Sequence, residues 1–205
     1  MLTIKIKETD TEIAQWARTE LEKHYFEVLK TSIPAIQASI RKIIISALIN
    51  EPEYIGLLQG RLLAEFGLVD ASSKLNSILG IWAQDIHVTV DKFKLKVEAI
   101  QTDMDNVIQI AAAHQVTEKG EDLPWLDWLM LQGDKTIIRR YEVRLSNSPA
   151  SRTGRAIMVQ GKISRWHVPS DYAGNRRNNW ATRAIEHIND EDIYKVIQTA
   201  IQVKW

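Results

Sequence analysis

The chain has 205 residues, 45% hydrophobic and 25% charged, with no Cys and 26 basic side chains balanced by 26 acidic ones. This is a globular composition long enough to bury a core without staples, and it excludes disulfides, thiolate metal sites and a thiol nucleophile. The zero net charge hides an asymmetry: residues 1–134 hold 13 Lys and Arg against 20 Asp and Glu, residues 135–183 hold 11 against 2, and residues 184–205 hold 2 against 4.

Met1 to Glu8 alternates apolar and charged residues and lacks the apolar region of a secretory signal. The most apolar run, Ile43 to Ile49, is far shorter than the roughly 20 residues that span a bilayer. The expectation is a soluble protein made in the cytoplasm, with no membrane partner.

Thr9-Asp10-Thr11-Glu12 supplies N-cap candidates and an acidic first turn. Ile13, Trp16, Ala17, Leu21, Tyr25, Val28 and Leu29 then recur at helical spacing, which predicts a helix over 10–31. Ser32-Ile33-Pro34 predicts a break, with Pro34 in the first turn of a second helix whose apolar face runs from Ile36 to Leu48. That helix is expected to end near Asn50-Glu51-Pro52. Gly67 reads as a helix stop, and Asp70-Ala71-Ser72-Ser73 as the cap of a helix through Leu75, Ile78, Leu79 and Trp82. Residues 1–84 are therefore predicted to be mainly helical.

The period then changes. Ile86, Val88 and Val90, and after a bend near Asp91-Lys92 also Phe93, Leu95 and Val97, alternate with polar residues as half-buried strands do. Asp103 to His114 reads as a short helix or an irregular connection. Thr117 to Asp122 is a polar connector, and Pro124 opens a short helix carrying Trp125, Trp128 and Leu129. Gly133-Asp134 turns the chain. Ile137, Arg139, Tyr141, Val143 and Leu145 share one parity of a strand, and Ile138, Arg140, Glu142 and Arg144 the other. Ala156 to Val159 predicts a strand, followed after Gly161 by a second short one near Trp166. Helices over 180–188 and 190–202, jointed at Asn189-Asp190, complete the reading. The class is α+β: a helical part, 1–84, then a mixed β core with C-terminal helices, 85–205, forming one compact unit.

Motifs for chemistry are weak. Gly154 and Gly161 are too isolated for a phosphate-cradling loop. Ser151, His167 and Asp171 could be assembled into a triad only on paper, since triads are recognised by geometry. His187 lies near Asp190, Glu191 and Asp192, but acids at a helix start serve the cap and dipole more simply. No catalytic, metal or cofactor site is expected.

The stretch from Leu123 to Ile185 carries four of the seven Trp and most of the unbalanced positive charge. Its basic residues are mainly Arg, among them Arg139, Arg140, Arg144, Arg155, Arg165, Arg176 and Arg177, whose planar donor forks suit phosphate and carboxylate. A solvated strand face, a subunit contact and DNA-backbone contact all remain open for them.

The ordered set Leu123 to Leu129, Gly133-Asp134, Ser151-Arg152-Thr153-Gly154 with Ile157-Met158, Trp166-His167-Val168-Pro169, Ala173-Gly174 and Asn178 to Ala184 resembles a family of tailed-bacteriophage structural proteins at the head–tail junction or tail. Glu53-Tyr54 through Leu57, Gly60-Arg61-Leu62 and Glu65-Phe66-Gly67 extend the similarity towards the N-terminus. Gly174-Asn175-Arg176-Arg177 departs from it by being longer and more basic than expected. The resemblance implies a non-enzymatic virion component that forms or joins a symmetric ring with copies of itself. Its neighbours would be neck, portal or tail proteins. On this reading Trp125, Trp128, Arg152, Gly154, Trp166, Pro169, Asn179 and Arg183 frame the assembly surface. The same Trp would serve a core equally well, and burial of Trp125 and Trp166 within one subunit is the observation that would favour the core. The alternative functions are a nucleic-acid-binding accessory protein using residues 135–183, with salt-sensitive contact to the DNA backbone, and then a hydrolase.

Overall fold

The computed structural model describes residues 9–91, 94–99, 104–133 and 135–202. Its longest element is helix α1, Asp10–Asn50, about 60 Å long at 1.5 Å per residue. A reciprocal cap starts it: Glu12 N donates to Thr9 Oγ1 at 3.3 Å, and Thr9 N donates to Glu12 Oε2 at 2.7 Å.

The predicted break at Ser32-Ile33-Pro34 does not occur, and Pro34 lies inside α1. Proline in a helix interior costs about 3 kcal/mol, chiefly through one lost backbone bond and a clash one turn back. Packing outweighs that cost here. Val28, Ser32, Ile36, Ile40, Ile44 and Leu48 form an i, i+4 row that is buried on both sides of the proline. The Ser32 hydroxyl donates to Val28 O at 2.7 Å within the same turn. By length and composition α1 could also cross a membrane, but the row from Ile36 onward is covered by its own chain.

Three shorter helices follow, α2 Pro52–Leu58, α3 Arg61–Phe66 and α4 Ala71–Gln84. Gly67 closes α3 in the left-handed region, as expected. Asp70 occupies the N-cap position of α4, but its side chain makes no cap bond. Strands β1 His87–Asp91 and β2 Lys94–Glu98 pair antiparallel, with Val88 opposite Val97. The expected Lys92 bend and Phe93 lie outside the described residues, as do Asp103 and Asp134. Helix α5, Asp105–Ile108, and a 3-10 turn at Ala111–Ala113 fill the region read as a short helix. Strands β3 Gln115–Val116 and β4 Asp122–Leu123 close the polar connector, and α6 Trp125–Leu131 follows Pro124.

Strands β5 Ile138–Leu145 and β6 Ala156–Trp166 form an antiparallel hairpin. The two short strands expected on either side of Gly161 are one continuous strand, and the irregularity there is a register jump opposite Arg140. Tyr141 pairs with Gln160 and Arg139 with Arg165, so Arg140 alone faces residues 161–164. Arg140 has a φ of 65° there. This bulge overturns the simple parity of the sequence: Ile138 and Val143, an odd number of positions apart, both line the same pocket. Helices α7 Trp180–Glu186 and α8 Asp190–Gln202 finish the fold.

The class is α+β, 54% helical and 18% strand, with the strands among the described residues in three separate antiparallel pairs, so helices set the core. One buried cluster draws on both parts of the chain, from Ile36 and Trp82 to Trp125 and Trp180. An aromatic seam runs through it. Phe66 lies 6.0 Å from Trp125 and 5.8 Å from Trp166, and Trp82 meets Trp180 edge-on at 5.1 Å.

Candidate functional site

The residues expected on the assembly surface divide by depth. Trp125 is fully buried and its indole N–H donates to Ala112 O at 3.0 Å. Trp166 is 6% exposed and donates to Glu65 Oε2 at 3.0 Å. These are core residues of one subunit, because a large ring with a single donor is accommodated inside once that donor is satisfied. Pro169 and Asn179 are buried as well. Asn179 caps α7, accepting from Thr182 N at 3.1 Å, while its amide donates to Asn175 O at 2.8 Å. These four belong to the interior of the subunit, not to its outer face.

Arg183 also works within the subunit. Its guanidinium pairs with Glu53, a carboxylate only 1% exposed on α2, and bonds Asn178 Oδ1 at 2.5 Å. One turn later, His187 Nδ1 meets the buried Glu51 at 2.7 Å. The segment between α1 and α2 is thus clamped to α7 by two buried acids. The sequence reading treated Asn50-Glu51-Pro52 only as a helix end. The available signal was two carboxylates flanking a proline, a pattern that does not reveal burial.

Trp128, half-buried, meets Trp166 at 5.9 Å, and Arg152 and Gly154 reach the surface. Gly154 has a φ of 72° with open space where a side chain would stand, so the turn favours glycine for its backbone alone. The two arginines of this turn grip helix ends. Arg152 Nη2 donates to Phe66 O at 3.3 Å at the end of α3, and Arg155 Nη1 donates to Gln59 O at 2.7 Å after α2. Terminal helix carbonyls lack intrahelical donors and carry partial negative charge, which suits a guanidinium.

The remaining arginines are more open. Arg139 and Arg165 are direct cross-strand partners, both exposed, so like charges sit side by side. Arg144 pairs instead with Glu142 at 2.7 Å. That hydrogen bond, with the guanidinium charge, holds the Glu142 carboxyl below its ordinary range. Arg176 and Arg177 lie exposed on the loop before α7, where Asn175 Oδ1 accepts from Arg177 N at 2.9 Å and Asn178 N at 3.0 Å. Among the described residues, none of Arg139, Arg140, Arg165, Arg176 and Arg177 forms an ion pair.

A pocket of about 420 Å³ lies between α3 and the β5–β6 hairpin, lined by Phe66, Leu123, Trp128, Val143, Met158 and Trp166 among others. Arg152 borders it. Inside it, Glu65 is already held by Arg61 at 2.5 Å and by the Trp166 indole.

The second surface is the start of α1. Among the described residues none before Val28 is buried, and Ile13, Trp16, Leu21 and Tyr25 stand exposed. Ile13, Leu21 and Tyr25 share one i, i+4 row, and Trp16 adjoins Ile13 one turn on. Their spacing in the sequence predicts the helix itself. Periodicity identifies an apolar face but not what covers it.

The paper triad does not assemble. The Ser151 hydroxyl accepts from Ala156 N at 3.2 Å and His167 Nδ1 meets Val168 O at 2.7 Å. No hydrogen bond joins Ser151, His167 and Asp171 among the described residues. Comparison with known proteins returned no matching family model, no matching curated protein and no matching solved structure.

Proposed function

We propose that the protein is a structural component of a tailed-bacteriophage virion, forming or joining a symmetric ring at the head–tail neck and coupling adjacent rings. The phage assignment rests on the ordered motifs from Leu123 to Ala184. The assembly reading rests on one observation, the exposed apolar residues Ile13, Trp16 and Leu21 of α1. Such a face on a chain that otherwise buries a continuous core is a surface awaiting a protein partner. The separation of charge along the chain supports the same reading, because each copy carries both signs for a head-to-tail contact. Its partners are copies of itself and neighbouring neck, portal or tail proteins. Its place is the virion, after synthesis in the host cytoplasm.

The test is the native mass of the purified protein, by light scattering after size exclusion at low and moderate salt. A discrete multimer of many copies is expected, weakened by salt as charge contacts are screened. A monomer at every concentration overturns autonomous ring formation.

The adjacent Arg139 and Arg165 favour a second reading, contact with the DNA backbone. It predicts duplex binding without sequence preference and with a steep decline in salt. Salt-independent binding, or none, removes it.

A further inference from the structure

We infer that the start of α1 of one copy docks, through Trp16, in the pocket between α3 and the β5–β6 hairpin of the next copy. The inference deepens the ring reading and rests on it. Trp16 is 67% exposed, the largest apolar side chain on that helix face. Ile13, one turn before it, is 42% exposed, and Leu21, further round the helix, is 64% exposed. The pocket offers about 420 Å³ among Phe66, Trp128, Met158 and Trp166, within the size range that receives a bulky apolar group. Trp is among the residues enriched at interface hot spots, which sit in well-packed, desolvated pockets.

The contact is between copies because the helix is rigid. α1 continues without interruption through Asn50, so Trp16 cannot bend back to the pocket of its own subunit. They project about 27 Å beyond the first buried turn, at 1.5 Å per residue. Charge selects the receptor. Residues 10–27 hold five carboxylates against Arg18 and Lys23, while residues 138–166 hold seven Lys and Arg against Glu142 alone. Two such helices pairing with each other would bring like charges together, whereas the hairpin offers the opposite sign. Glu121 is the one lining carboxylate without a cationic partner among the described residues; it opposes a helix segment of net charge −3, against a hairpin of net charge +6. Helix and pocket are different surfaces, so each copy uses one of each, and the contact propagates head to tail until a rotation closes it.

The experiment uses full-length Trp16→Ala, which removes the anchor, and Met158→Asp, which places a carboxylate in the pocket at a position 40% exposed. Ala150→Trp, on the exposed loop lining the pocket, blocks it by a second route. Masses are read by light scattering. Each variant alone is expected to lose the multimer and run as a monomer. An equimolar mixture of Trp16→Ala with either pocket variant is expected to give a one-to-one dimer that grows no further. One member supplies the only intact pocket and the other the only intact helix. Formation of that dimer also demonstrates that both variants fold. Loss of the multimer in Trp16→Ala, with both pocket variants still multimeric, overturns the inference in favour of helix–helix pairing. A multimer untouched by every variant overturns the docking and leaves the ring reading standing. A wild-type monomer at all concentrations overturns both.

Discussion

The two ends of α1 have the same local character and opposite fates. Both carry apolar residues at helical spacing, yet the row from Val28 to Leu48 is buried while Ile13, Trp16, Leu21 and Tyr25 remain exposed. What differs is what lies alongside. The buried end packs against α2, α4, α7, α8 and β1, whereas among the described residues none before Val28 is buried. A helix can therefore extend beyond the body that stabilises it, because each added residue costs little once the helix is nucleated.

Substitutions at the two ends should break this symmetry of sequence in order of size. Leu48→Ala, at a site with no exposure, should cost about 2–5 kcal/mol in urea unfolding through lost transfer energy and a cavity. Arg183→Ala should cost about 3 kcal/mol, the low end for a broken buried pair, since it strands Glu53 while Arg183 itself stays 23% exposed. Asn179→Ala should cost about 1 kcal/mol by removing the α7 cap. At the exposed end, Leu21→Ala should change the unfolding free energy of the monomer by no more than about 0.5 kcal/mol. Should Leu21→Ala match Leu48→Ala in the isolated subunit, the contrast fails.

The smallest effect concerns the hairpin. The hydrogen bond from Arg144, followed by its charge, lowers the Glu142 carboxyl pKa in the folded state. A group with a depressed folded pKa stabilises the fold above the ordinary glutamate value and loses that contribution as pH falls through the lowered one. Arg144→Gln should move the Glu142 carboxyl midpoint upward in an NMR titration and flatten this acid dependence. An unchanged midpoint would show that the ion pair is absent in solution.

Much of the fold was legible in particular residues. Thr9 and Glu12 announced the first cap, Gly67 a helix stop, and the Val88 and Leu95 alternations a pair of strands. The candidate surfaces were less so. The sequence singled out Trp125, Trp166 and Asn179 by their chemical distinctiveness, and all three turned inward. Trp suits interfaces and cores for the same reasons, large contact area and a donor that needs a partner, whereas Asn179 is buried because both ends of its amide are satisfied at the cap of α7. In the sequence the arginines form one basic set, but Arg152 and Arg155 hold helix ends while Arg139 and Arg165 stand side by side across the hairpin. Composition counts charges without saying which ones the fold has already used.

The sequence alone determined the α+β class, most element types and the separation of charge, because periodicity, caps and turn residues act over a few neighbouring positions. Only the tertiary structure decided that α1 runs through Pro34, that Arg140 bulges and brings Ile138 and Val143 to one pocket, and that Glu51 and Glu53 are clamped by α7. Those outcomes depend on contacts between residues up to 136 positions apart, as in the bond from His187 to Glu51. Local preference sets what each segment can become, and long-range burial selects which faces are used and which are left for a partner.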